Sequence, residues 1–200
     1  MLMVLVGNGP SAPGYAEDID QANCVVRCNV AKLGPAGRKW DVWCFSGSKL
    51  MQKLSREVGL FDAPDTPKVA WCIRDRKIAE KGCKRLFPDS KREYLPEANL
   101  VRLERALNPK RKISPSTGFM ALEMCLVHKP TRLAIVGFDA TGYRGATAGH
   151  GPHTSAGWQP WKARGRPHDF AREKELIACW ARTRIFCGQE YPETEPEWWR

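Results

Sequence analysis

No apolar run in the 200 residues reaches the length of about eighteen that a membrane-crossing helix needs. The opening run, Met1 to Val6, is cut by Gly7-Asn8-Gly9-Pro10 and is too short for a signal peptide. There is no internal repeat and no long low-complexity tract. None of the eight cysteines (24, 28, 44, 72, 83, 125, 179 and 187) stands in a CxxC pair, so the spacing of a zinc site is missing. Acidic residues are the scarcer charge, 22 against 32 Lys and Arg, for a net charge of +10. That balance fits a polyanionic or phosphorylated partner. Helix-turn-helix, zinc-finger and RNP motifs are all absent, so charge alone does not single out nucleic acid. Together these absences predict a soluble cytoplasmic protein whose thiols are reduced and mostly buried. Cys24 and Cys28 alternate with valines, as residues sharing one face of a strand do.

What is present is an alternation of strands and helices. Hydrophobic residues make up 42% of the chain, enough for one domain with a real core. Strands are predicted at Met1–Val6, Cys24–Asn29, Asp41–Phe45 and Lys68–Ile73. A short one is expected at Lys84–Phe87, and others at Leu133–Val136 and Arg184–Cys187. Helical spacing marks Lys49–Val58, Glu97–Leu107, a run from Phe119 to Leu126, and a segment opened by Pro167-His168-Asp169 and ending near Ala181. The pattern predicts an α/β fold, a single Rossmann-like domain over 1–188 with a mostly parallel sheet flanked by helices. Residues 139–166, rich in Gly and Pro and carrying Tyr143, His150, His153, Trp158 and Trp161, read as a lid-like loop. Residues 189–200 read as a tail.

Two stretches carry candidate chemistry. Met1–Val6 runs straight into Gly7-Asn8-Gly9-Pro10-Ser11-Ala12, a strand followed by a glycine-rich turn of the kind that cradles phosphates. The letters satisfy the dinucleotide pattern G-x-G-x-x-A. However, Pro13 and Gly14 interrupt the helix such a turn must open, and Arg27 and Asn29 stand where an acidic residue is needed. The second stretch is Ser114-Pro115-Ser116-Thr117-Gly118, followed by helix and strand. A helix opening there offers unpaired N–H groups and the positive end of its dipole, and Gly118 would let an anion approach the backbone. By itself a Ser-Thr-Gly opening is an ordinary helix cap.

Three segments in order resemble the motifs of the sialyltransferases. Gly7-Asn8-Gly9-Pro10-Ser11, with Ile19-Asp20 and Val25-Val26-Arg27-Cys28-Asn29, resembles their large motif. Pro115-Ser116-Thr117-Gly118, with the following helix, strand and Gly137-Phe138, resembles the small one. His168 and Glu173, separated by four residues, match the very small one. Order and spacing are those of the eukaryotic-type family 29, and the opening through Asn29 is also similar to the bacterial family 42. The resemblance covers Met1 to about Cys187.

The resemblance implies a sialyltransferase-type variant of the glycosyltransferase A fold. It implies metal-independent transfer of sialic acid from CMP-sialic acid to a glycan or small-molecule acceptor, with no cofactor. Asn8, Gly9, Ser11 and Asn29 would bind the donor, as would Ser116, Thr117 and Gly118. His168 would be the general base and Glu173 its support; His150, His153 and Tyr143 are candidates for steadying the departing phosphate. Imidazole, with an ordinary pKa near 6.5, suits deprotonation of a hydroxyl at neutral pH. The disulfide that ties the large and small motifs in secreted members is not possible here, because Met3 and approximately Pro130 occupy its places. That implies a microbial or viral relative working in a reducing compartment. Two other readings stay open: a non-catalytic protein of the same fold that binds CMP or a related nucleotide, and a basic nucleic-acid-binding protein whose aromatics stack on bases.

Overall fold

A computed structural model describes residues 1–9, 12–29, 33–46, 66–73, 76–110, 113–138 and 169–181. The expected helix at 49–58, the loop 139–166, the strand at 184–187 and the tail lie outside the described residues.

Among the described residues six strands form one sheet: β1 (Leu2–Val6), β2 (Cys24–Cys28), β3 (Val42–Phe45), β4 (Val69–Cys72), β5 (Lys91–Tyr94) and β6 (Arg132–Val136). Their order is β5-β4-β3-β2-β1-β6, and every pairing is parallel. Parallel strands need crossovers that cover both faces, which is why these segments read as nearly continuous apolar runs. Alternate residues of β1 show it: Met3 and Leu5 enter one core, Val4 and Val6 the other. Cys28 and the half-buried Cys24 do share a face, together with Val26.

On the first face pack α3 (Glu97–Leu107), α4 (Thr117–Val127) and α5 (Phe170–Ala181). α4 is the central element, buried from Phe119 through Cys125. Trp180 of α5 stacks on Phe119, ring centroids 5.0 Å apart. Even Glu123 is fully buried on α4, held by Asn99 Nδ2 at 2.5 Å and by the Arg102 guanidinium, both from α3. On the opposite face lie a short 3-10 turn (Ala12–Tyr15) leading into α1 (Ala16–Gln21), and α2 (Arg76–Leu86). Pro13 and Gly14 do not abolish the first crossover helix; they fall in the 3-10 turn, and the α-helix starts one turn later.

One expected element is corrected. Residues 84–86 are the last turn of α2, not a strand, and the edge strand is Lys91–Tyr94. The face that α2 buries is made of small residues, Ala79, Gly82 and Cys83, which give a weak apolar signal. The edge strand carries the charges of Lys91, Arg92 and Glu93, as strands exposed on one side commonly do.

The chain lays down β1 to β5 in one direction across the sheet, then returns to place β6 on the other side of β1. This reversal makes the carboxyl ends of β1 and β6 a topological switch point, the kind of place where open α/β sheets bind ligands.

Candidate functional site

The residues that end β1, β2 and β6 and begin α4 converge on that carboxyl edge. Backbone contact comes first. Gly7 N–H donates to Val136 O at 2.8 Å and Gly9 N–H to Gly137 O at 2.9 Å, fastening the loop after β1 to the loop after β6. The two chains approach so closely that a Cβ on Gly137 would lie 2.7 Å from Gly7 O, and Gly137 has φ +71°. Only glycine suits both constraints.

Asn8 leans the other way and donates from Nδ2 to Cys28 O at the end of β2, at 3.2 Å. Asn29, the next residue along from Cys28, takes a left-handed backbone with φ 47°. All its polar groups are engaged. Its N–H donates to Cys44 O at 2.8 Å and its carbonyl accepts from Trp43 Nε1 at 2.7 Å. Oδ1 accepts from Ser46 N–H at 3.2 Å, and Nδ2 donates to Thr117 Oγ1 at 2.9 Å. That last bond spans 88 residues of sequence and joins the end of β2 to the start of α4.

Ser116 caps α4, its Oγ accepting from Phe119 N–H at 3.1 Å. Glu173, on the first turn of α5 and 4% exposed, takes the Ser116 hydroxyl on one oxygen at 2.5 Å and the Ser116 N–H on the other at 2.6 Å. A carboxylate here also lies at the favourable end of the α4 dipole. Met120 N–H bonds to Ser116 O in the ordinary helical way. Among the described residues nothing takes the N–H groups of Thr117 and Gly118, the two first-turn donors left over. The Thr117 hydroxyl, having accepted from Asn29, still has its proton to give. On the side where Gly118 lacks a Cβ the space is filled by Phe138, whose ring edge would lie 2.8 Å from that atom. The glycine therefore admits a ring from β6's loop on that side, and an anion would meet this turn through its N–H groups.

Arg27, at the position where a dinucleotide fold places an acid, is turned into the loop after β2. It is 1% exposed and donates from Nε to Lys39 O at 2.9 Å and from Nη2 to Ala36 O at 2.8 Å, organising the loop after β2. Burial lowers its pKa to about 10, against the opposing charge of Asp20.

The structure thus brings together Asn8, Gly9, Asn29, Ser116, Thr117, Gly118 and Glu173. Ser11, Tyr143, His150, His153 and His168 lie outside the described residues. Asp169, the neighbour of His168, caps α5 with Oδ1 accepting from Arg172 N–H at 3.0 Å. Sequence reasoning missed Ser46 and Trp43, which hold Asn29, and Phe138 as the cover of Gly118. Among the described residues no group of three His, Cys, Asp or Glu is placed to hold a metal ion, and none of the helices is long and apolar enough to cross a membrane.

Solved structures of similar architecture exist. The monofunctional alpha-2,3-sialyltransferase Cst-I from Campylobacter jejuni superposes with a TM-score of 0.56 over 90% of this chain and 71% of that one, at 15% identity. A mammalian sialyltransferase gives 0.58 over 94% and 69%, at 16% identity. The same kind of enzyme bound to Gal-beta-1-3GalNAc-ortho-nitrophenol gives 0.57 over 94% and 70%, at 15% identity. The fold is that of the sialyltransferases. No protein-family model and no curated protein matches the sequence. Among the described residues the six-stranded parallel sheet brings the ends of β1, β2 and β6 to the start of α4.

Proposed function

We propose that the chain is a sialyltransferase-like glycosyltransferase. It transfers sialic acid, or a related acidic sugar, from a CMP-activated donor to an acceptor hydroxyl by inverting displacement, with His168 as general base. The observation that carries this reading is the joining of three distant segments at one carboxyl edge of the sheet. Asn29 reaches Thr117 at 2.9 Å and Glu173 reaches Ser116 at 2.6 and 2.5 Å, so residues from all three motif-like stretches form one hydrogen-bonded unit.

The chemistry asks for two things: stabilisation of a departing phosphate and removal of one proton from the attacking hydroxyl. The leftover N–H groups of Thr117 and Gly118, the Thr117 hydroxyl and the positive end of α4 supply donors for the phosphate of CMP. Asn8 supplies its side-chain carbonyl and a second amide hydrogen from the facing loop. His168 directly precedes the Asp169 cap of α5, five positions before the carboxylate that anchors α5 to Ser116. Through that bond the segment bearing the base and the segment binding the donor keep a common frame. His150, His153 and Tyr143 are the candidates for protonating or steadying the phosphate as it leaves. The donor is a substrate, and no cofactor or metal enters the scheme.

Calorimetric titration with CMP, with UMP and NAD as controls, tests the donor site. Selective binding of CMP that weakens at least tenfold in Asn8→Ala is the expected result. Binding of NAD in preference to CMP would end this reading. His168→Ala then tests catalysis: turnover of CMP-sialic acid with a panel of galactosides falls to background while CMP affinity stays within a few-fold of the parent. If the parent binds CMP but neither transfers nor hydrolyses the donor, the chain is a nucleotide-binding protein on this fold.

A further inference from the structure

The second face of the sheet holds a thiol pair that the donor-site reading does not use. Cys72 ends β4 and Cys83 sits on α2, the helix that covers this face near the sheet edge. The Cys72 thiol donates to Cys83 Sγ at 3.6 Å. The two residues are 2% and 0% exposed, within a cluster that includes Trp43, Phe45, Ala70 and Ala79. We propose that Cys72 and Cys83 form a modification site, a dithiol that low-molecular-weight disulfides such as oxidised glutathione convert to a disulfide stapling α2 to β4.

The step balances as thiol–disulfide exchange. One protein thiolate attacks the small disulfide, forming a mixed disulfide and releasing one small thiol. The second protein thiolate attacks the protein-side sulfur of that bond and releases the other. The protein gives up two electrons and two protons, and the reagent ends as two thiols.

A second neighbouring pair shows why this one is singled out. Cys28 and Cys44 face each other in register on β2 and β3, with Cys125 of α4 in the same buried cluster. Both of those strands are interior to the sheet, so exposing either thiol requires disruption of the core. Cys83 rides instead on an 11-residue helix, directly after Gly82, over the two outermost strands on its side. Opening one helix at the sheet margin costs less than opening the central sheet, and a glycine inside that helix weakens it further. The hydrogen bond from Cys72, with burial, holds the Cys83 thiol well above its ordinary range. Exchange therefore proceeds from the transiently opened helix, and the closed disulfide is shielded once the helix returns.

The test uses the full chain under native conditions. Excess oxidised glutathione is added, free thiols are blocked with N-ethylmaleimide at intervals, and unreduced digests are mapped by mass spectrometry. A peptide joining Cys72 to Cys83, lighter than its two parts by one H2, accumulates ahead of every other linkage. It is lost in Cys83→Ser and Cys83→Ala, and dithiothreitol reverses it. The oxidised chain melts about 5 °C higher than the reduced one. Three results overturn the proposal: glutathione retained on either cysteine without closure, earlier linkage of Cys28 to Cys44, or no Cys72–Cys83 linkage in the folded chain. The test does not depend on CMP binding or turnover, so its outcome and that of the donor-site reading are independent.

Discussion

Glu173 grips Ser116 by both its N–H and its hydroxyl, at 2.6 and 2.5 Å, across 57 residues of sequence. One buried carboxylate thereby sets the angle at which α5 meets the capped start of α4. Removing it leaves two Ser116 donors to find other acceptors in a half-buried position. Glu173→Ala should cost about 3 kcal/mol and Glu173→Gln about 1 kcal/mol, since glutamine keeps an acceptor but loses the charge. Urea denaturation measures both. A double-mutant cycle with Ser116→Ala should show a coupling of about 1–2 kcal/mol; strict additivity would mean that the two residues do not act together.

Asn29 is held on every polar group and sits at φ 47°. Backbone strain and side-chain bonding can be separated by comparing two substitutions. Asn29→Gly removes the side chain and tolerates the left-handed backbone, whereas Asn29→Ala removes it and keeps a Cβ that opposes that backbone. The alanine variant should be less stable than the glycine variant by about 1 kcal/mol. Both should weaken CMP binding to a similar degree, because each frees the Thr117 hydroxyl from its positioning bond. Unaltered CMP affinity in both variants would remove Asn29 and its link to Thr117 from the donor site.

The approach of the β1 and β6 loops makes a sharper stability prediction. Alanine at 137 would carry its Cβ to within 2.7 Å of Gly7 O and 3.0 Å of Ala12 Cβ, on a backbone with φ +71°. Gly137→Ala should therefore lose about 2–4 kcal/mol. Gly14 is the internal control, since nothing lies within 4 Å of the Cβ it would gain. Gly14→Ala should be neutral or slightly stabilising by reducing the freedom of the unfolded chain. Equal losses at the two positions would show that crowding where the β1 and β6 loops meet is not what constrains residue 137.

How much of this was legible in the sequence follows from the range over which each feature is determined. Strands such as Met1–Val6 and Cys24–Cys28 are buried on both faces and so appear as apolar runs without any knowledge of their neighbours. The caps and turns at Ser116 and Gly137 are equally local. By contrast, α2 buries Ala79, Gly82 and Cys83 while exposing lysines, so its inner face has few large apolar residues to mark it, and β5 spends its few residues on charges suited to an edge. The polar connections of the site belong to a third kind. That Asn29 meets Thr117, Trp43 and Ser46, or that Arg27 turns inward to two carbonyls, depends on strand order and crossover packing. Motif resemblance placed Asn29, Ser116 and Glu173 near one another as a group; only the fold specifies which atom holds which.

At the far end of α4 a second carboxylate predicts a pH dependence. Glu93 on β5 accepts from Trp71 Nε1 at 3.0 Å and from Lys91 Nζ at 2.7 Å, and His128 Nε2 lies 3.0 Å away. The His128 ring stacks on Trp71 with centroids 5.2 Å apart. Burial pushes the Glu93 carboxyl upward, but the bonds from Lys91 and Trp71 and the charge at His128 outweigh it, so its pKa falls below the ordinary value. A carboxyl depressed on folding stabilises the native state above its unfolded pKa of about 4.3, and that contribution disappears as pH falls through the lower folded value. Glu93→Gln should therefore be less stable than the parent at pH 7, with the gap narrowing below about pH 4. Urea midpoints of the two proteins at pH 7, 5, 4 and 3 measure it. A gap that stays constant to pH 3 would mean that Glu93 contributes through shape and neutral hydrogen bonding rather than through its charge.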